Sequence, residues 1–230
     1  MFFHEYTIGE IFEFVPLSGL NAMEFWLETP HFWLRDMPVH EVIACRKEHP
    51  GITTLTVHSP ILDMNPCSIN PDVARVSVDY AVRSLAIAEQ MGARILTVHP
   101  GRRTAKRPPS AADFVRFDHY ISAMREAAKQ KFLKIGMENM EPIVNSLLCT
   151  PERMRALLDE EPWLFFTLDV VRGNAEGQPD GEVAGDDQRQ QRDAVVAAPG
   201  HASEDLQQPK GSGQHHRRRH QQPAADVHGS

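Results

Sequence analysis

Four polar residues stand at the ends of four short apolar segments, and their types suit a divalent metal ion. The segments are TTLTVH, ARILTVH, FLKIGME and WLFFTLD, which end at His58, His99, Glu138 and Asp169. Imidazoles and carboxylates together form a suitable ligand set for Zn²⁺ or Mn²⁺. Such an ion polarises a carbonyl, activates a bound water or holds two substrate oxygens together. We therefore predict a metal site made of these four residues, although each of them taken singly is explained as well by a structural role.

These segments belong to a longer series, which indicates a repeated strand and helix unit. Six apolar segments recur along the chain, at residues 1–6, 22–28, 53–58, 93–99, 132–138 and 163–169. Their density of apolar residues is typical of strands that are covered on both faces, as in parallel sheets. The starts lie roughly 20 to 40 residues apart, which leaves room for a helix and its connections.

Four of the intervening segments carry helix start signals. The predicted N-caps are Thr7, Asn70, Ser110 and Thr150. The first and third are followed three residues later by Glu10 and Asp113, as in a capping box, and the other two precede a proline. This alternation of strands and helices predicts a parallel sheet with right-handed crossovers.

Such a sheet is either open and doubly wound or closed into a (β/α)8 barrel. No glycine-rich nucleotide-binding motif follows any of the six segments, which removes the usual argument for the open sheet. In a barrel, the carboxyl ends of the strands converge on one mouth. Because four successive strand ends carry candidate ligands, we predict an α/β fold of the (β/α)8 TIM-barrel type that has six of its eight strands.

The composition changes sharply after Val171. Residues 172–230 contain no aromatic residue, and Leu206 is their single leucine. Such a segment cannot bury enough apolar surface to offset the entropy of ordering its backbone. We therefore predict a partial barrel at residues 1–171 and a disordered tail at residues 172–230.

The composition also limits the class of protein. A net charge of −7 is not that of a dedicated nucleic-acid-binding protein. Three widely spaced cysteines fit neither a disulfide framework nor a structural zinc knuckle, and they indicate a reducing compartment. The first residues lack the features of a secretory signal, and no apolar segment reaches membrane-spanning length. We expect a cytoplasmic protein without a membrane partner.

Further polar residues lie near the predicted mouth. The loop PGRRTAKRPPS after the fourth segment includes Arg102 and Arg103, which are candidates for binding a substrate phosphate; a solvated loop is the equal alternative. Asn139 follows Glu138 and is predicted either to orient that carboxylate or to contact substrate, with a turn residue as the simpler explanation. Trp26 is predicted to belong to the core or to the pocket wall.

The motifs TVHSPILDMNP, LTVHPG, GMENM and FTLDV, in this order and spacing, resemble the xylose isomerase-like TIM-barrel superfamily. That group includes sugar-phosphate isomerases and epimerases, and the endonuclease IV type of abasic-site DNA nuclease. The resemblance covers residues 1 to about 171. It implies metal ligation by the residues that match the family's ligands, which are His58, His99, Glu138 and Asp169.

Beyond that point the sequence departs from the family pattern. Members usually carry a histidine three residues after the aspartate, where this sequence has Arg172. They continue through two further strand and helix units that supply more ligands, and no such pattern is visible in residues 172–230. Our hypothesis is a change of reading frame after Val171, and the alternative is a natural disordered extension. A six-stranded barrel would expose the edges of its first and sixth strands.

The family resemblance of residues 1–171 and its absence in residues 172–230 together suggest three candidate functions. The first is divalent-metal-dependent isomerisation or epimerisation of a sugar or sugar phosphate, in which the ion binds neighbouring oxygens and Glu138 is the catalytic acid or base. The second is metal-dependent cleavage of abasic-site DNA, which the acidic charge disfavours and the basic loop favours. The third is a metal-binding remnant without catalysis.

Overall fold

A parallel sheet forms the centre of the part of the chain that the computed structural model describes, residues 6–129 and 131–170. Its five strands are β1 (Ala22–Trp26), β2 (Thr54–His58), β3 (Ile95–Val98), β4 (Lys134–Glu138) and β5 (Leu164–Thr167). Each strand pairs in parallel with the next one along the chain. A doubly wound sheet reverses its strand order, so consecutive order confirms the barrel-type prediction.

The five strands correspond to the second to sixth apolar segments of the sequence. Their bounds are shorter than the segments by one to three residues, because some strands begin one or two residues after the segment start and others end before the last polar residue. The first predicted strand, residues 1–6, lies outside the described residues except for Tyr6. The predicted tail at residues 172–230 also lies outside them.

Six helices connect or precede the strands in the described part of the chain. They are α1 (Ile8–Leu17), α2 (Pro30–Trp33), α3 (Val39–Glu48), α4 (Pro71–Gln90), α5 (Ala111–Ala128) and α6 (Pro151–Glu160). The four predicted N-caps precede α1, α4, α5 and α6, as expected. None of the described helices is long and apolar enough to cross a membrane.

Helices α2 and α3 were not predicted, because neither carries a side-chain cap. Thr29 and Pro38 occupy their N-cap positions and make no capping hydrogen bond through a side chain. Packing against the core stabilises these two helices instead, since Phe32 and Val42 are each 0% exposed.

The outer face of the sheet packs against the helices and forms the core. Seven outward side chains of β1 to β4 are at most 2% exposed, namely Phe25, Leu55, Val57, Leu96, Val98, Ile135 and Met137. Successive side chains of a strand point to opposite faces. The residues between these seven therefore point to the inner face, which in a barrel leads to the mouth.

Strand β5 and the residue that follows it carry large apolar side chains that are exposed in the described sheet. Phe165 and Phe166 are each 45% exposed, and Leu168 is 61% exposed. Phe166 and Leu168 line a groove of about 320 Å³ together with Met154 and Leu158 of α6. The expectation that the edge formed by the sixth apolar segment is open stays a prediction, because the residues after Val170 lie outside the described part of the chain.

A buried carboxylate holds the start of α5. Asp113 is 2% exposed and accepts hydrogen bonds from the backbone N–H and the hydroxyl of Ser110, at 2.7 and 2.6 Å. It also pairs with Arg116. Burial alone would raise the pKa of Asp113, but the Ser110 hydrogen bonds and the Arg116 charge outweigh burial and hold the pKa below its usual range.

This pairing predicts a pH-dependent stability difference. We expect Asp113→Asn to lower the free energy of unfolding by about 1 to 3 kcal/mol at pH 7, because a charge-assisted hydrogen bond is lost. A carboxylate with a lowered folded pKa stabilises the protein above its unfolded pKa of about 3.9, and this stabilisation disappears as the pH falls through the folded pKa. Urea denaturation of both proteins between pH 7 and pH 3 measures the difference, which should shrink in acid.

The matched control is Asp118→Asn, which changes an exposed aspartate on the same helix. This control should leave the free energy of unfolding unchanged within about 0.5 kcal/mol. A difference between Asp113→Asn and the unmodified protein that stays constant over the whole pH range would contradict the prediction.

Candidate metal centre

Three of the four predicted ligands converge at the carboxyl ends of adjacent strands. His58 ends β2, His99 directly follows β3, and Glu138 ends β4. Each residue follows an outward core residue, so strand alternation directs all three side chains to the inner face. The Nε2 atoms of His58 and His99 are 3.1 Å apart, and the Glu138 Oε2 atom lies 3.5 Å from the first and 3.2 Å from the second.

The size of this triangle fits a metal ion. Zn²⁺ binds imidazole nitrogen and carboxylate oxygen at about 2.0 to 2.2 Å, and a tetrahedron with such bonds has edges of about 3.3 to 3.6 Å. An octahedron with the same bonds has edges of about 2.8 to 3.1 Å. The observed edges of 3.1, 3.2 and 3.5 Å span these two ranges. The three atoms can therefore hold one face of a coordination polyhedron and leave further positions for other ligands.

The hydrogen bonds of the two rings direct lone pairs towards this triangle. The Nδ1 atom of His58 lies 2.7 Å from the carbonyl oxygen of Ser59, which accepts only, so this nitrogen carries the proton in the neutral ring. The Nδ1 atom of His99 lies 3.4 Å from the Met140 sulfur, a weak acceptor, which favours the same tautomer. In these neutral tautomers both Nε2 lone pairs face each other and the carboxylate and repel, unless a proton between these atoms turns the contacts into hydrogen bonds. A cation at the centre of the triangle relieves that repulsion.

The three side chains are buried, so water screens the electrostatic interactions among them only weakly. His58, His99 and Glu138 are 2%, 7% and 7% exposed. Burial alone would raise the pKa of Glu138, but hydrogen bonds from the two histidines, and their positive charge when the rings are protonated, outweigh burial and hold the pKa below its usual range. Glu138 is therefore a carboxylate at neutral pH, which is the form that binds a metal ion.

Two residues at the end of β1 support His58 and its loop. The indole ring of Trp26 stacks on the His58 ring, with centroids 4.1 Å apart and planes at 14°. The Glu28 carboxylate is 9% exposed and accepts hydrogen bonds from the backbone N–H groups of Ile61 and Leu62, at 2.8 and 3.0 Å. Glu28 thereby holds the loop that follows β2. Trp26 is a wall of the site, as predicted, whereas the anchoring role of Glu28 depends on contacts that no local motif announces.

The fourth predicted ligand lies beside this group and not within it. Among the described residues, the ligand atoms that lie within 4.8 Å of one another belong to His58, His99 and Glu138. Asp169 follows the end of β5, and its backbone is bonded to the side chain of Asn139. Ligation by Asp169 therefore stays a prediction, as does substrate contact by Asn139.

The two predicted phosphate-binding arginines have different surroundings. Arg103 donates a hydrogen bond to the carbonyl of Pro108 at 2.6 Å and lies 3.8 Å from the Asp113 carboxylate. These contacts indicate that the Arg103 guanidinium stabilises the loop after β3. Arg102 is exposed and lines a cavity of about 50 Å³ together with His99. Within the described part of the chain, the Arg102 guanidinium makes no hydrogen bond or ion pair, so it is available to a ligand at the mouth.

Comparison with known proteins identifies the family. Residues 12–221 match the family described as xylose isomerase-like TIM barrel. The chain belongs to this xylose isomerase-like family. The match continues past residue 171, where the sequence predicts the end of the barrel domain, and that boundary remains a prediction.

Curated relatives of this xylose isomerase-like chain come from one archaeon. The uncharacterized protein MJ1188 of Methanocaldococcus jannaschii is 31% identical over 172 residues, which cover 74% of this chain and 63% of the relative. The uncharacterized protein MJ1311 of the same organism is 28% identical over 132 residues, which cover 54% and 44%. The chain thus spans less than two thirds of the length of these relatives.

Solved structures share the fold of the xylose isomerase-like chain. An L-ribulose 3-epimerase has a TM-score of 0.62 at 16% identity, over 74% of this chain and 57% of that protein. A D-tagatose 3-epimerase-like protein has a TM-score of 0.60 at 23% identity, over 72% and 62%. Endonuclease IV from Thermus thermophilus has a TM-score of 0.54 at 21% identity, over 72% and 59%. Identities this low support the shared fold alone.

Proposed function

We propose that this protein is a divalent-metal-dependent isomerase or epimerase of a sugar or sugar phosphate. The observation that carries the proposal is the convergence of two imidazole nitrogens and one carboxylate oxygen, from His58, His99 and Glu138, on a buried point at the strand ends. The epimerases among the structural neighbours add support from the fold. The donor set of nitrogen and oxygen suits Zn²⁺ or Mn²⁺.

The bound ion would polarise the carbonyl of the sugar and hold it together with a neighbouring hydroxyl oxygen. Glu138 is ionised at neutral pH and would accept the proton from the carbon next to that carbonyl. The C–H bond breaks, the electron pair moves onto the carbonyl oxygen, and the proton returns to the same or the adjacent carbon. Return to the other face of the same carbon re-forms the carbonyl and gives an epimer. Return to the former carbonyl carbon gives an isomer, because the neighbouring hydroxyl then passes its proton to the former carbonyl oxygen and becomes the new carbonyl.

The chain's own side chains would arrange this reaction. Stacking on Trp26 and the Nδ1 bond to the Ser59 carbonyl fix the ring of His58. Asp169 would add a second carboxylate from the neighbouring strand. Arg102, exposed beside His99, would bind an anionic group of the substrate, which favours a sugar phosphate over a neutral sugar.

Proton exchange with solvent tests the proposal directly. The full chain is stripped of ions with a chelator, reloaded with Zn²⁺ or Mn²⁺, and incubated in D₂O with a panel of ketoses and their phosphates. We expect deuterium at the carbon next to the carbonyl in the loaded protein, measured by NMR, and none after chelation or in Glu138→Gln. Absence of exchange with every substrate, in a protein that binds the ion, would contradict the proposal.

A pair of variants in the same experiment tests the anion site. Arg102→Ala should raise KM for the phosphorylated substrate roughly 10-fold or more, because a charge-assisted contact of about 1.5 to 3 kcal/mol is lost. Its effect on a neutral ketose should be small. Arg107→Ala, an exposed arginine of the same loop, is the matched control and should leave both KM values unchanged.

A second candidate function is metal-dependent cleavage of abasic-site DNA. Arg102, Lys106 and Arg107 are exposed on the loop after β3, and such a loop suits contact with phosphates. The endonuclease IV neighbour shares the fold. Incubating the loaded protein with a duplex that contains one abasic site distinguishes the candidates, since a sugar epimerase leaves that DNA intact. Ion binding without either activity would favour a metal-binding remnant.

A further inference from the structure

The side chain of Asn139 forms a two-way hydrogen-bonded clamp on the backbone of Asp169. Its Nδ2 atom donates to the Asp169 carbonyl oxygen at 3.1 Å, and its Oδ1 atom accepts from the Asp169 N–H at 2.8 Å. A side-chain amide carries one donor and one acceptor face, as a peptide group does. The amide therefore satisfies both backbone groups of one residue that lies thirty positions away in sequence.

The clamp replaces strand pairing at the point where β4 and β5 separate. The register of this pair ends with Glu138 opposite Thr167. Past this point the backbone of β4 turns into a loop, in which the N–H of Met140 donates to the carbonyl of Leu148 at 3.1 Å. The backbone of β5 continues to Asp169. The Asn139 amide supplies the bonds that the departing backbone of β4 no longer offers.

The clamp also joins two candidate ligands. Asn139 directly follows Glu138, which belongs to the buried triangle, and it holds the backbone of Asp169, the predicted fourth ligand. The clamp fixes the distance between the ends of β4 and β5. With its backbone held, Asp169 has less conformational freedom to lose on binding an ion than a loose strand end would have.

We infer that Asn139 is a positioning residue, which holds Asp169 beside Glu138 so that the Asp169 carboxylate completes the coordination of the ion. This inference rests on the proposed function, because it needs an ion bound at the triangle. In this inference Asn139 holds the ends of β4 and β5 together and does not contact the substrate. Asn is suited to this role because its amide is neutral and short, whereas Asp lacks the donor and Gln is one methylene longer.

The test is the affinity of the full chain for Zn²⁺, measured by competition with a chromophoric chelator. Asn139→Ala should raise the Kd by about 10- to 100-fold, as is typical of losing a partner that orients a ligand. The visible absorption of the Co²⁺-loaded protein should change as well, because it reports coordination geometry. If Asn139→Ala does not fold, Asn139→Gln, which keeps the neutral amide and displaces it, provides the same measurement.

The chain offers a matched control for a broken clamp. Asn65 clamps the backbone of Arg102 in the same two-way manner, with bonds of 2.9 and 3.1 Å. Asn65→Ala therefore removes a clamp of the same chemistry from a residue that is not a predicted ligand. Its Kd for Zn²⁺ should stay within about twofold of the unmodified chain, since Asn65 is neither a candidate ligand nor bonded to one.

A double-mutant cycle with Asp169→Ala shows whether Asn139 acts through Asp169. If it does, Asn139→Ala should weaken binding strongly in the unmodified chain and little in the Asp169→Ala background. Equal effects in both backgrounds, or an unchanged Kd in folded Asn139→Ala, would overturn the inference and leave the proposed function intact. An unmodified chain that binds no Zn²⁺ overturns both.

Discussion

Replacing His99 with alanine should abolish specific binding of one divalent ion by this protein. The substitution removes one of three converging donor atoms, so the affinity for Zn²⁺ should fall by more than the factor of about 10 to 100 that is typical of losing an outer-shell partner. Equilibrium dialysis followed by metal analysis measures the stoichiometry. We expect about one ion per unmodified chain under saturating conditions and far less than one in His99→Ala.

Thermal unfolding should report the same loss. An ion that binds only the folded state stabilises it by about 2.7 kcal/mol at a free concentration 100 times its Kd. Zn²⁺ should therefore raise the Tm of the unmodified chain and leave that of His99→Ala unchanged.

The control for this prediction is His119→Ala. His119 is exposed on α5, so its loss removes an imidazole without touching the buried group. Its ion stoichiometry and its Zn²⁺-dependent rise in Tm should match those of the unmodified chain. If His99→Ala and His119→Ala bound Zn²⁺ equally well, the buried triangle would not be the metal site.

Replacing Gly136 with alanine should strongly destabilise the sheet beside the site. A Cβ atom at this position would lie 2.2 Å from Oγ1 of Thr167 on β5, far inside van der Waals contact. Thr167 is β-branched and restricted at χ1, so relief costs either an unfavourable Thr167 rotamer or a movement of β4 and β5 apart. We expect a loss of about 1 to 3 kcal/mol in the free energy of unfolding, as for overpacked cores, measured by urea denaturation.

The same substitution should weaken the metal site. Gly136 and Glu138 point to the same inner face of β4, and Glu138 pairs with Thr167 across the strands. A shift between β4 and β5 therefore displaces the Glu138 carboxylate from the two histidines. Affinity for Zn²⁺ should fall in Gly136→Ala even at temperatures where the variant is fully folded.

Thr167→Ala supplies a rescue and Gly51→Ala supplies the control. Without Oγ1, the nearest atom to the new Cβ would be the Cβ of residue 167 at 3.5 Å, an ordinary contact, so Gly136→Ala should cost much less in the Thr167→Ala background. A Cβ at Gly51 would meet no heavy atom within 4 Å. Equal destabilisation at positions 51 and 136, or no rescue, would contradict the close-contact explanation.

Elements with local signals were predicted from the sequence. Thr7 and Ser110 begin capping boxes and Asn70 precedes a proline, and a helix follows each of them as expected. Dense apolar segments that end in a polar residue likewise placed the two histidines and Glu138 at strand ends. Helices α2 and α3 were missed, because they are stabilised by packing of Phe32 and Val42 and not by their caps.

Elements that depend on distant contacts were decided by the tertiary structure. The sequence places Arg102 and Arg103 side by side, and the structure separates them, because Asp113 and the Pro108 carbonyl engage Arg103 alone. Similarly, Asn139 was a candidate for binding substrate or orienting Glu138, and its amide in fact bonds to the backbone of Asp169.

The sequence by itself determined the fold family and three residues of the candidate metal centre. Periodicity, capping and a repeated polar strand end are local properties, so they are readable without coordinates. The tertiary structure alone decided which donor atoms meet, since the 3.1 to 3.5 Å spacing of His58, His99 and Glu138 depends on the register of three strands. It also decided that Glu28 and Asn139 hold neighbouring backbone, because these hydrogen bonds join residues about thirty positions apart, whose contact is set by how the loops pack.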